Sequence, residues 1–470
     1  MISVTALNRH RNRSGKLKEL EWRLQCRHSI RGYFCSPHVG GQDADQSFIR
    51  TNTMADQQSP LAIDPDLAMA STKRRDLAAV RNLPRSAVVS YARKRLDHPA
   101  RPRSAVATGV KNYPNLFALL ATNVIAWVLA YLRNRFGPRH KFMDYSGGAK
   151  DTGVYPLGSA ADEIRVSLAG DWASGTDEAA DVATAITASR PHFAIHLGDV
   201  YYVGDDAELR STCLGERTSQ NDPTKWPLGR VGTFALNGNH EMYARGTSYF
   251  DTLLPKMGMT GQSPQRASFF CLENEHWQII ALDTGYNSIK WPLLEELRFW
   301  PFAPSFDLSA TQIRWLTNVV KPSNGSRGII VLSHHPPYSR FEPAYVKPAR
   351  QLKALMRAPV LWFWGHEHRV AVYDRYSRDG GIEAYGRCLG HGGMPVELNP
   401  QVVDPRCPLL FADAREYPND EQIKVGYNGY ANLTFTGASL RVEYRDLRAA
   451  CVFAETWQVI DGTLVRASAK

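Results

Sequence analysis

Aspartate, asparagine and histidine recur in short polar blocks along this chain, each directly behind a run of apolar residues. The blocks are Gly170-Asp171, Gly198-Asp199-Val200-Tyr201-Tyr202, Gly238-Asn239-His240-Glu241, Val331-Leu332-Ser333-His334 and Gly365-His366-Glu367-His368. Carboxylate, amide oxygen and imidazole are donors that hold hard or borderline metal ions, and imidazole also serves as a general acid or base. His366 and His368, two residues apart, project to one side of an extended segment, so one strand end can present both rings. Taken singly, each of these residues is an ordinary turn residue behind a strand. Their succession in one order, each after an apolar run, points to metal chemistry.

The elements that must position them follow from hydrophobic periodicity. Residues 164–169 form an apolar run, 176–190 have helical spacing, and 192–197 form a second apolar run. Strand, helix and strand make a βαβ unit with parallel strands. The same grammar recurs at 231–236, at 278–282 with a helix at 309–320, at 328–332 and at 360–364. Each buried strand delivers polar residues past its C-terminal end, the edge at which open α/β sheets bind ligands. After Val370 helices give way to runs at 431–435, 440–444 and 451–459, expected as antiparallel strands of a second sheet packed on the first.

Together, over about residues 160–400, the blocks resemble the signature motifs of the calcineurin-like metallophosphoesterase superfamily, and the metal site resembles that of the purple acid phosphatases. The resemblance implies an α/β fold, a four-layer sandwich of two packed mixed β-sheets flanked by helices. It also implies two metal ions about 3.5–4 Å apart. Asp199 would bridge them, with Asp171, Tyr202 and His368 on the first ion and Asn239, His334 and His366 on the second. Most of the superfamily carries Asp-x-His in the first block, whereas here Ala173 stands in the histidine's place. Purple acid phosphatases also lack that histidine and place a tyrosine three residues after the bridging aspartate, the position of Tyr202. A phenolate favours ferric iron at the first site, with iron, manganese or zinc at the second, and the oxidised protein would be coloured.

His240 is implied as the catalytic group beside the leaving oxygen, with a metal-bound hydroxide as nucleophile. The implied activity is hydrolysis of a small phosphorylated substrate, a phosphomonoester. The alternatives are a phosphodiesterase or nuclease of the same superfamily, and a membrane-tethered binding module without catalysis. His335 is expected to shape the turn before Pro336 and Pro337, and Glu241 and Glu367 to support the ligands. Arg245 and Arg340 are weaker candidates for substrate phosphate, and His391 for the pocket border. Specificity is expected from loops 203–230, 243–266 and 285–307.

The formal charge of +10 over 470 residues resembles a nucleic-acid signature until it is divided. Residues 1–141 hold 24 Lys+Arg against 9 Asp+Glu, which leaves 32 against 37 for the remainder. The basicity therefore belongs to the N-terminal region, and the mildly acidic remainder offers no field for a polyanion. Residues 1–110 read as a basic, largely disordered arm, of which 1–53 precede a second ordinary-looking start at Met54. Residues 111–136 read as an apolar helix, and 160–465 as the catalytic domain. The uncharged stretch 112–132 just reaches bilayer length, so a membrane surface is an expected partner beside packing on the domain. Charges occupy the place of a signal peptide's apolar stretch. The seven scattered cysteines, without a CxxC pair, fit reduced thiols. The expected setting is the cytoplasm, with membrane association through residues 112–132 as the alternative.

Overall fold

Strands buried on both faces read as near-continuous apolar runs, and the runs that carry the polar blocks take this form. The computed structural model describes residues 131–146, 151–217, 223–289, 305–322, 326–356, 359–398, 400–418 and 425–469. The basic arm and the apolar segment up to residue 130 lie outside the described residues. So do parts of the loops at 203–230 and 285–307.

The strands are β1 (Val154–Pro156), β2 (Glu163–Ala169), β3 (Phe193–His196), β4 (Gly232–Ala235), β5 (Gly258–Met259), β6 (Phe270–Glu273), β7 (Trp277–Ala281) and β8 (Gly328–Ser333). They continue as β9 (Val360–Trp364), β10 (Val370–Tyr376), β11 (Ala384–Leu389), β12 (Leu409–Ala412), β13 (Gly429–Thr436), β14 (Ser439–Asp446), β15 (Cys451–Ile460) and β16 (Thr463–Ala469). They build two eight-stranded sheets, one ordered β1-β6-β7-β8-β9-β11-β10-β12 and the other β16-β15-β14-β13-β2-β3-β4-β5. In both, the central neighbours β2-β3-β4 and β7-β8-β9 are parallel.

Side chains of one parity on these strands meet between the sheets. Val166, Leu168, Phe193 and Ile195 pack there with Ile330, Leu332, Leu361 and Phe363. The opposite parity faces helices. On one outer face Ala169, Ala194 and Ala235 lie under Val182 and Ile186 of the helix Asp177–Ala188. On the other, Val331 and Trp362 lie under Trp315 and Leu316 of the helix Ala310–Trp315 and its π-helical continuation Leu316–Val320. Helix, sheet, sheet, helix is the four-layer α/β sandwich expected from the sequence.

One expectation is corrected. The C-terminal strands do not form the second sheet, because β13 pairs antiparallel with β2, Ala431 opposite Leu168. They widen the sheet that the first βαβ unit begins, and the second sheet comes from the middle of the chain. Period-two alternation specifies hairpins but not the edge they join.

The same alternation places Glu455 of β15 inside, in register with Phe453 and Trp457. Its partner comes from the opposite sheet: Arg387 of β11 donates Nε to Oε1 and Nη2 to Oε2, both at 2.6 Å. Tyr444 adds a hydrogen bond at 2.8 Å, and the carbonyls of Tyr373 and Gly386 accept from Nη1. This fork ties the two sheets together. Arg387→Ala would leave a buried carboxylate without its counter-ion, which costs about 3–5 kcal/mol, whereas replacing both partners with apolar residues is often close to neutral. Urea midpoints should therefore fall sharply in Arg387→Ala and recover in the double variant Arg387→Met, Glu455→Met. A double variant no more stable than the single one contradicts the clamp. Among the described residues, no helix is long and apolar enough to cross a membrane.

Candidate metal centre

The polar blocks meet because the C-terminal ends of β2, β3, β8 and β9 are stitched together by backbone hydrogen bonds. Asp171 donates its N–H to Gly198, Gly170 to Leu389 across the sheets, and Gly365 to His334. Such close approach excludes side chains: a Cβ on Gly170 would lie 2.8 Å from the Gly365 Cα, and one on Gly238 would lie 2.1 Å from Asp199 Oδ1. Asp171, Asp199 and His366 adopt left-handed φ values of 56°, 71° and 68°. Non-glycine residues in this region cost of order 1–3 kcal/mol each and collect at functional sites.

The implied metal ligands other than Tyr202 present side chains to one cluster, with His240 beside them. Asp171 Oδ1 lies 3.4 Å from His368 Nε2, and its Oδ2 accepts the His366 backbone N–H at 2.6 Å. Asp199 Oδ1 accepts the His240 backbone N–H at 2.9 Å, while its Oδ2 lies 3.3 Å from His334 Nε2. Asn239 Oδ1 is 3.3 Å from the same nitrogen. The His334 and His366 ring centroids are 5.2 Å apart, and Tyr345 Oη lies 3.1 Å from His366 Nε2.

The electrostatics bind the set together. Burial alone would raise the Asp199 carboxyl, yet the imidazoles of His334 and His240 hold it well below the usual carboxylate range. Burial opposes charge on His334 too, but Asp199 lifts it to about 9. His366, buried beside His334, falls to about 3. Glu241, pushed up to about 8 by burial and then by the Asp199 charge, accepts the backbone N–H groups of Gly238 at 2.9 Å and Asp199 at 3.3 Å. It thereby pins two of the blocks to one another, the supporting role expected of it. Glu367 does the same for its own turn through Ser339 Oγ and Trp364 Nε1.

Of the two adjacent tyrosines, Tyr202 is the one implied as a ligand, but it is Tyr201 whose hydroxyl meets these donors. The hydroxyl in the cluster is that of Tyr201, which donates to Asp171 Oδ1 at 2.6 Å and lies 2.9 Å from His368 Nε2 and 3.3 Å from Asp199 Oδ2. Tyr202 offers its backbone carbonyl to His240 Nδ1 at 2.6 Å, and its ring packs against Tyr201. The local cause is a bridge between Ala173 and Val200, continued by the Tyr201 N–H on the Ala173 carbonyl at 3.1 Å. It ties Tyr201 to the residue that replaces the usual histidine. Two adjacent tyrosines were visible in the sequence, but residue counting does not show which one turns inward.

His335 also departs from expectation. Besides shaping the turn, it places its ring 4.8 Å from His334 and 4.7 Å from His366. Burial, and then the two neighbouring imidazoles, hold it well below the usual histidine value. Arg340 donates to the carbonyls of Pro405 and Cys407, and Arg245 to that of Gly137, so both hold backbone. His391 is buried, and its carbonyl accepts from Asn428 and from Gly429 at the start of β13.

Ligand atoms of Asp171, Asp199 and His334 lie within 4.8 Å of one another, as do those of His334, His335 and His366. Two overlapping groups that share His334, one rich in carboxylate and one in imidazole, fit a pair of first-row metal ions. Residues 164–370 match the family model described as calcineurin-like phosphoesterase. This segment is a calcineurin-like phosphoesterase domain. The family implies a dinuclear centre, and the donors present suit one. Among solved structures, the chain is similar to the purple acid phosphatase PPD1 from yellow lupin (Lupinus luteus) seeds at 14% identity and TM-score 0.41, covering 64% of this chain and 54% of that one. It is also similar to PhoD, at 12% and 0.40, covering 67% and 73%. A dimetal phosphatase from Danio rerio matches at 12% and 0.34, covering 63% and 99%. Likenesses this distant carry nothing about substrate or metal. No curated protein sequence matches the chain.

Proposed function

We propose that the chain hydrolyses small phosphomonoesters at a dinuclear metal centre in this calcineurin-like domain. The observation that carries the reading is the convergence of Asp171, Asp199, Asn239, His334, His366 and His368 with His240 beside them. Asp199 would serve both ions. Asp171, His368 and the Tyr201 phenol would hold the first, taken as iron, and Asn239, His334 and His366 the second, as iron, manganese or zinc. When bound, such a pair lowers the pKa of coordinated water and screens phosphoryl charge.

The protein's own contribution is positional. Carboxylate and imidazole donors come from rigid strand ends, so little reorganisation accompanies the reaction. His240 Nδ1 is held by the Tyr202 carbonyl, which leaves Nε2 facing the site, 3.7 Å from Asp199 Oδ2. Burial lowers its pKa and the Asp199 charge partly restores it. A dianionic phosphate ester arriving at Nε2 favours the imidazolium, which can then give its proton to the departing alkoxide. The acidic balance of residues 142–470 supports a small substrate over a nucleic acid.

The test is a rate comparison on full-length protein with its native metals retained. p-Nitrophenyl phosphate should be cut faster than bis-(p-nitrophenyl) phosphate, and chelation should abolish both activities. Faster cleavage of the diester makes the chain a phosphodiesterase. No cleavage of any ester across a metabolite panel, with metals bound, leaves the non-catalytic binding module.

A further inference from the structure

The ligand set proposed above leaves His335 without a role, yet its surroundings are those of a ligand. The residue is 2% exposed, and Nε2 is buried with no hydrogen-bond partner among the described residues. Nδ1 lies 3.0 Å from Thr284 Oγ1, and the same oxygen accepts the His335 backbone N–H at 3.1 Å. The remaining flanks are the rings of Phe306 at 4.9 Å and Tyr345 at 4.8 Å. A buried nitrogen left unsatisfied is costly. Its ligand atom falls within 4.8 Å of those of His334 and His366.

We propose that His335 is a further ligand of the second ion, binding through Nε2 while Nδ1–H donates to Thr284 Oγ1. The proposal rests on the dinuclear reading. His334 shows the same arrangement, with Nδ1 3.0 Å from the Leu197 carbonyl and Nε2 turned to Asp199. Ligating histidines characteristically have the second nitrogen held in this way, which fixes tautomer and ring orientation. Imidazole nitrogens bound to one ion at about 2.1 Å stand roughly 3.0–3.4 Å apart at octahedral or tetrahedral angles, so the three rings would draw together around an ion. With Asp199, Asn239, His334 and His366 this gives the second ion a nitrogen-rich set, which suits zinc or iron better than manganese.

The test uses full-length protein stripped by chelation and titrated with zinc or cobalt, with bound metal measured after dialysis. Wild type should retain two ions. His335→Ala should keep the first and bind the second more weakly by a factor beyond the roughly 10–100-fold typical of orienting groups, and Thr284→Val should fall within that range. If His335→Ala binds both ions like wild type while His334→Ala loses the second, His335 is not a ligand and the dinuclear reading stands. If wild type itself holds fewer than two ions, both fail. Should the alanine variant not fold, cobalt-loaded wild type decides by proton NMR with histidine labelling. A large hyperfine shift of the His335 ring N–H supports ligation, and an unshifted ring overturns it.

Discussion

Asp199→Asn should reduce phosphoester hydrolysis to background and deplete both metal ions, while the protein remains folded. The substitution keeps the size of the side chain and removes the charge that His334 and His240 attract. One oxygen accepts the His240 backbone N–H and the other faces His334 and Tyr201. Losing that carboxylate therefore weakens both halves of the cluster at once. Outer-shell changes lower metal affinity or activity by about 10–100-fold, and a bridging ligand should exceed that. Activity and metal content are measured on the same preparation, with a urea midpoint as the control for folding. Near-wild-type turnover, or loss of one ion only, removes Asp199 as the bridge.

Asn239→Ala provides the contrast, since the Asn239 amide oxygen approaches His334 Nε2 at 3.3 Å and lies on the second-ion side. Equal depletion of both ions in that variant would blur the assignment of sides.

The parts of this site that were legible in the sequence share one physical feature. Asp171, Asp199, Asn239, His334, His366 and His368 each follow a strand buried on both faces, and such strands announce themselves as apolar runs. Once the runs are parallel neighbours, their C-terminal ends must gather on one edge. What was not legible depends on pairing and rotation. The residues around 431–459 alternated clearly enough to be strands, but nothing local says that β13 lies beside β2 and not in a separate sheet. Arg387 and Glu455, far apart in the chain, look like surface charges until the sheets stack. His335 looked like a turn residue because its neighbours are Pro336 and Pro337. Its ring direction emerges only when Thr284, from the end of a different strand, is brought to it.

Tyr201 is the sharpest case of rotation, and its substitution should reveal the first ion directly. The phenol is buried, and burial, followed by the charge of Asp171, holds its pKa well above that of free tyrosine. A bound cation inverts that logic, because the local positive charge stabilises the phenolate. Its oxygen already lies 2.6 Å from Asp171 Oδ1 and 2.9 Å from His368 Nε2, two of the donors proposed for the first ion. If that ion is ferric, electron density moving from phenolate to metal gives a broad visible band, and the oxidised protein is pink to purple. Tyr201→Phe should lose the band while the second site stays filled. Tyr202→Phe should keep it, because the Tyr202 group that approaches His240 is a backbone carbonyl. Visible spectra and iron content of the wild type and both variants decide the matter. The opposite pattern, colour lost in Tyr202→Phe and kept in Tyr201→Phe, restores the tyrosine chosen by counting from Asp199. A colourless wild type with its full complement of iron excludes both phenols, and a solvent oxygen then fills the place of the histidine that Ala173 replaces.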